Sequence, residues 1–162
     1  MLAMSSKTAG KTVGSPPGSE LPPTIQTWTR LLHAHASVTQ QVGRQLLAAH
    51  GLSIKDYATL AALSRAPGQR MKRIDLARWL LLTPSGVTRL LDKLARAGLV
   101  ERTGNAADLR VAYAQLTVVG ADKLEAASGD HADAIHELLE RHLSAAELSQ
   151  LGDLLGKLAH PA

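Results

Sequence analysis

The sequence predicts a mainly α-helical fold carrying one small β-hairpin. Three observations predict it. Apolar residues return every three or four positions near both ends of the chain. In the middle, two helical stretches at 74–81 and 84–97 are separated only by a short turn. Directly after the second come "LVERT" (99–103) and "VAYAQLT" (111–117), two β-like runs flanking the turn-rich "GNAADLR" (104–110).

Length and composition bound the reading. A chain of 162 residues fits one domain with a full core, or one domain plus a tail. It has no Cys, which excludes disulfides, thiolate chemistry, Cys-ligated metals and cysteine redox sensing. No apolar run reaches transmembrane length, and "MLAMSSKTAGKTVG" lacks the apolar core and cleavage site of a secretory signal, so the expected location is the cytoplasm. The net charge of +4 is unevenly spread. Residues 65–110 hold ten Lys/Arg against four Asp/Glu, whereas 111–162 hold three against eight. A basic middle beside an acidic end points to a polyanionic partner for the middle.

The elements follow in order. Residues 1–23, ending in "GSPPGSELPP", are too poor in apolar surface to offset ordering entropy and are expected to form a disordered tail. Thr24 is positioned to cap a first helix with apolar positions Ile25, Trp28, Leu32, His35, Val42, Leu46 and Ala49, spaced 3, 4, 3, 7, 4 and 3. Gly51 ends it. Its length of ~39 Å at 1.5 Å per residue exceeds what one small domain covers, so part of its stripe is expected to pack on another chain. Ser53 and Asp56 resemble a capping box for a second helix, which "APGQ" (66–69) breaks. "QRMKR" suggests a short strand and "IDLARWLLL" a third helix from Ile74 to about Leu81.

The fourth helix is the most informative. Thr83 is a good N-cap, Pro84 fits the first helical position, Val87, Leu90, Leu91 and Leu94 form the buried stripe, and Gly98 suits a left-handed end. After the hairpin, Thr117 can cap a long helical region with a kink expected near Ser128-Gly129. "SAAE" (144–147) is a capping box for a last helix carrying Leu148, Leu151, Leu155 and Leu158.

Two helices joined by a tight turn form a helix-turn-helix, and a hairpin directly after it forms a wing. This accounts for the small polar face that opens the fourth helix. A first turn that approaches phosphates and bases must exclude bulk and negative charge. Thr83, Ser85 and Thr88 can donate to phosphate or base edges, and Gly86 would let the backbone come close. Arg89 suits a bidentate contact to guanine, worth ~1–3 kcal/mol of discrimination, and Lys93, one turn on, suits phosphate. In the wing, Asp108 can fix the direction of Arg110 toward a narrow minor groove, with Arg102 and Asn105 on the flanking phosphates. Arg70 and Arg73 are further phosphate candidates.

The stretch "LTPSGVTRLLDKLARAGLVERTGNAADLRVAYAQLT" (82–117) resembles the MarR family of bacterial transcription regulators, and the similarity in helix order extends over roughly 25–160. The most specific part is the recognition helix followed by "GLVER", a wing with Asp-x-Arg, and "LT" opening a helix. The resemblance implies a winged helix-turn-helix domain over 24–160. Helices at 24–50 and 117–160 would form a homodimer. Residues 53–116 would form the DNA-binding lobe, with the helix-turn-helix at 74–97 and the wing at 99–116. It implies that Ser85, Thr88 and Arg89 read the major groove of a pseudo-palindromic operator and that Arg110 reaches the minor groove. It implies a dimer interface including Ile25, Trp28, Leu32, Leu148, Leu151, Leu155 and Leu158. It further implies repression relieved by a small anionic or aromatic effector bound between dimer core and DNA lobe. The chain departs from the family in having a single Arg in the wing segment "TGNAADLR", and in having no Phe, two Trp and two Tyr to supply an aromatic-lined pocket.

Three other functions fit the sequence less well. A zinc-responsive regulator would use His33, His35, His131, His136 and His142, but their spacings of 2, 5 and 6 do not stack ligands on one helix face. An enzyme is not expected, because neither a strained nucleophile elbow nor a Gly-rich phosphate loop is present. No cofactor is expected. A winged helix serving only protein contacts differs from a DNA reader in lacking steep salt dependence.

Overall fold

The computed structural model of the chain describes residues 21–105 and 108–159, without the side chains of 105 and 108–111. Of the predicted tail over 1–23, residues 1–20 lie outside the described residues, and Pro23 already belongs to the first helix. Six α-helices and one three-stranded sheet occur among the described residues. They are α1 (Pro23–His50), α2 (Ile54–Arg65), β1 (Arg70–Lys72), α3 (Arg73–Trp79), α4 (Pro84–Arg96), β2 (Val100–Asn105), β3 (Asp108–Leu116), α5 (Val118–Glu140) and α6 (Ala145–Ala159), with a short 3-10 turn at Pro67–Gln69. The chain divides into two compact units, residues 1–34 and 35–162.

Helix α1 starts one residue earlier than expected. Thr24 lies inside the helix and does not cap it. Pro23 takes the first position, where its missing N–H leaves nothing unpaired, and the Pro22 carbonyl accepts from the amides of Ile25 and Gln26. Gly51, at φ +66°, ends the helix. The capping box of α2 is present in full: Ser53 accepts from the Asp56 amide, and the Asp56 carboxylate accepts from the Ser53 amide and hydroxyl. The Ser144–Glu147 box opens α6 in the same way. Helix α5 runs unbroken through Ser128-Gly129, where a kink was expected; the Ser128 hydroxyl bonds back to the Leu124 carbonyl.

The sheet has the order β1-β3-β2, all antiparallel. The hairpin strands are longer than the sequence suggested. They extend to Asn105 and from Asp108, so much of the expected loop at 104–110 is strand, and the register shifts after Gly104. Leu60, Leu63, Leu76, Val87, Leu91 and Leu94, from α2, α3 and α4, are the largest fully buried apolar side chains. Each such side chain stabilises the fold by about 1.5–3 kcal/mol. This shared core seats α3 against α4.

Both helices of that pair end in the same motif. In α4 the Gly98 amide bonds the Ala95 carbonyl and the Leu99 amide bonds the Leu94 carbonyl, with Gly98 at φ +70°. In α3 the Leu81 amide bonds the Arg78 carbonyl and the Leu82 amide bonds the Ala77 carbonyl, with Leu81 at φ +52°. These are Schellman ends, and the left-handed position favours glycine. At Leu81 a γ-branched residue occupies it, and its side chain is 92% exposed and packs on little.

Replacing Leu81 by Gly should therefore remove left-handed strain without emptying the core. Leu81→Gly is expected to raise stability by about 1 kcal/mol, read as a higher midpoint in urea unfolding. An unchanged or lower midpoint would show that the turn is not strained.

Candidate nucleic-acid interface

The first turn of α4 is built from its cap outward. The Thr83 hydroxyl accepts from the Gly86 amide at 3.1 Å and lies 3.2 Å from the Ser85 hydroxyl. Thr88 donates its hydroxyl to the Pro84 carbonyl at 2.8 Å. The sequence reading gave all three hydroxyls donor roles, and the structure narrows this. The Thr88 proton is already engaged, so Thr88 presents a lone pair and a methyl group. Thr83 and Ser85 share one hydrogen bond in which either hydroxyl can donate, which leaves one of their two protons free.

Gly86 also changes role. A Cβ there would lie 3.1 Å from the Thr83 hydroxyl and against Leu82, so the glycine makes room for its own cap. Arg89 is exposed, and among the described residues no carboxylate pairs with it. Arg73 lines a small cleft with Ile74, Ala77, Pro84 and Val87, which puts it beside the start of α4. Arg70 lies elsewhere, on β1, with its guanidinium 4.8 Å from the centre of the Tyr113 ring.

Two expected phosphate contacts have internal partners. The Lys93 ammonium lies 2.5 Å from Asp56, whose side chain is 1% exposed. Lys93 therefore ties α4 to the N-terminus of α2. Burial pushes the Asp56 carboxyl up, but hydrogen bonds from Lys93 and Ser53 outweigh it and hold the group below the usual aspartate range. Arg102 on β2 donates to Asp92 on α4 at 2.5 Å, joining the wing to the recognition helix. That carboxylate offsets its charge, so Arg102 is no longer a free phosphate ligand.

The far end of α4 is held by residues whose role the sequence reading missed. The Thr117 hydroxyl donates to the Gly98 carbonyl at 2.7 Å and accepts from the Gly120 amide at 3.0 Å. The Thr117 amide bonds the Leu99 carbonyl. A Cβ on Gly120 would lie 2.0 Å from that same carbonyl oxygen. "LT" at 116–117 signalled a cap for α5, but nothing local signalled the bond back to α4.

The wing-tip residues Asn105, Asp108 and Arg110 are placed only by backbone. Asn105 pairs with Asp108 across the hairpin, and Arg110 follows on β3; their side chains lie outside the described residues. The expected interface residues Ile25, Trp28 and Leu32 on α1 are exposed. Leu151, Leu155 and Leu158 on α6 are exposed as well, with Leu148 half-buried. The histidines do not converge: among the described residues no three His, Asp or Glu side chains come together as metal ligands. His131 lies against the Tyr57 ring and His136 beside Glu140.

This arrangement is shared with known proteins. Residues 50–110 match the model of the MarR family. The chain is 31% identical over 115 residues to the HTH-type transcriptional repressor YetL of Bacillus subtilis, covering 69% of each. The chain belongs to the MarR family. Among solved MarR family structures, AbsC from Streptomyces coelicolor superposes with a TM-score of 0.77 at 26% identity, over 88% of this chain and 96% of that one. A mutant MarR from E. coli complexed with operator DNA superposes with a TM-score of 0.75 at 26% identity, over 86% and 99%. The winged helix-turn-helix of the family is thus the frame in which α3, α4 and the β2–β3 hairpin sit. No described helix is long and apolar enough to cross a membrane.

The Asp56–Lys93 tie has a pH signature. A depressed aspartate pKa adds stability above the unfolded value of about 4, and this is lost as pH falls through the lower folded value. Lys93→Met is expected to cost about 1–2 kcal/mol at pH 7, less than a fully buried pair because Lys93 is half-exposed. The gap from the parent should narrow as pH drops below about 4 in urea unfolding. A gap independent of pH would show that Asp56 is not the partner.

Proposed function

We propose that two copies of this chain form a repressor that reads a pseudo-palindromic operator through paired α4 helices. One observation carries the reading. The first two turns of α4 hold an exposed Ser85 and Arg89 in a helix capped at both ends, while the nearby cations Lys93 and Arg102 are tied to carboxylates. The free groups are then those suited to base edges, with Arg73 placed beside them for phosphate.

The dimer reading has separate support on two helices. On α6, Leu151, Leu154, Leu155 and Leu158 are all exposed. On α1, Ile25, Trp28 and Leu32 are exposed. Stripes of this size on water-facing helices favour burial against a second copy. The repressor role is supported by the relative YetL, a repressor by name. Relief of binding by a small effector belongs to the same reading. In this account Ser85, Thr88 and Arg89 read the major groove, and Arg110, braced by Asp108 with Asn105 nearby, serves the minor groove.

Footprinting on the DNA upstream of the gene is expected to show two protected half-sites one helical turn apart, ~34–36 Å centre to centre. In anisotropy titrations on that site, Arg89→Ala should relax specificity at one base position per half-site by about 1–3 kcal/mol. Arg110→Ala should weaken binding to all sequences and flatten the salt slope by about one unit. Equal binding of the Arg110→Ala protein and its parent would remove the wing from the interface. A Leu151→Glu, Leu155→Glu double variant should sediment as a monomer and lose operator affinity; an intact dimer would move the interface elsewhere.

A further inference from the structure

A small apolar cleft opens beside the start of α4. It has a volume of about 120 Å³ and is lined by Arg73, Ile74 and Ala77 of α3 and by Pro84 and Val87 of α4. Ala77 and Val87 form its buried floor. Ile74, 58% exposed, and the exposed Pro84 form its open wall. Arg73, half-buried, is the one lining side chain with polar atoms. Pro84 takes the first position of α4 and has no N–H, so its backbone offers no donor to the cleft.

The cleft is continuous with the face already assigned to DNA. Pro84 directly precedes Ser85, and its carbonyl accepts the Thr88 hydroxyl. Arg73 adds a positive charge where a phosphate backbone would pass. Ile74 serves neither the buried residues of α3, Leu76 and Ala77, nor the exposed stripes of α1 and α6. A duplex entering here presents polar base edges, phosphates and one kind of apolar projection. In the major groove that projection is the C5-methyl group of thymine. A polar base edge pressed against Ile74 and Pro84 would lose water without gaining a hydrogen bond, which costs affinity.

We propose that this cleft reads a thymine in each half-site, with the C5-methyl group seated against Ile74 and Pro84 and the backbone of the same strand held by Arg73. The inference rests on α4 entering the major groove. It brings α3 into base recognition and fixes one position by an apolar contact instead of a hydrogen bond. It also makes the chain sensitive to 5-methylcytosine, which carries the same methyl group on the same ring atom.

The test uses the full chain and the footprinted duplex, with affinity read by anisotropy. Each thymine of the half-sites is replaced in turn by deoxyuridine, which removes the methyl group and nothing else. One position per half-site is expected to weaken binding about fourfold, and about fifteenfold when both half-sites are changed. At that position 5-methylcytosine should bind more tightly than cytosine by a similar factor. Ile74→Ala should bind the thymine and deoxyuridine duplexes alike, while Ile74→Val, which keeps most of the wall, should still tell them apart. Equal binding of the two duplexes by the parent at every position, with the Arg89→Ala change in specificity intact, would overturn the cleft and leave the groove reading standing. Discrimination that survives in Ile74→Ala but vanishes in Thr88→Ser would give the methyl group to Thr88 and also overturn it. A parent that binds no duplex would overturn both.

Discussion

The hydroxyl of Thr117 is the point on which the orientation of the recognition helix rests. It holds the turn just past α4 through the Gly98 carbonyl and opens α5 by accepting from the Gly120 amide. The two helices meet there because Gly120 has no side chain, leaving the Leu99 carbonyl free to approach. Any other residue at position 120 would push the start of α5 off the end of α4. At its other end α4 is closed by Thr83, and in its middle Lys93 is drawn to the buried Asp56. The bonds from Thr117, Asp56 and Arg102 tie α4 at separate points to other elements and set its rotation, which decides which side chains near its start face outward.

The charges follow from these ties. The basic middle of the chain is not one uniform surface. Lys93 and Arg102 are neutralised within the lobe by Asp56 and Asp92. Arg73 and Arg89 remain beside the helix tip. Arg65, Arg70 and Lys72 gather around a separate cleft with Trp79 and Tyr113. A surplus of cations read as a single polyanion footprint thus separates into a paired set, a set beside the start of α4 and a set around the cleft.

What the sequence revealed and what it hid divide by range. The caps at Ser53, Thr83 and Ser144 and the stop at Gly98 were legible because each is settled within four residues. The core stripe of α4 was legible from its period. The partners of Lys93 and Arg102 were not, since Asp56 lies 37 residues away and Asp92 ten, and either cation reads equally well as a phosphate ligand. Gly86 has a structural role that was hidden for a related reason. A missing side chain shows where space is needed, not which neighbour needs it, and here the neighbour is Thr83. The Thr24 cap failed because Pro23 already satisfied the first position of α1. The hairpin came out short because Asn and Gly, read as loop, are also tolerated at a register shift.

The central claim is that the ties on α4 hold a small, cationic helix tip outward for a duplex. The most direct measurement is the affinity of the purified chain for its upstream duplex as a function of salt. The account predicts a linear fall of log K with log salt, losing orders of magnitude between ~50 and ~200 mM. A flat dependence, or no binding even in dilute buffer, would contradict it.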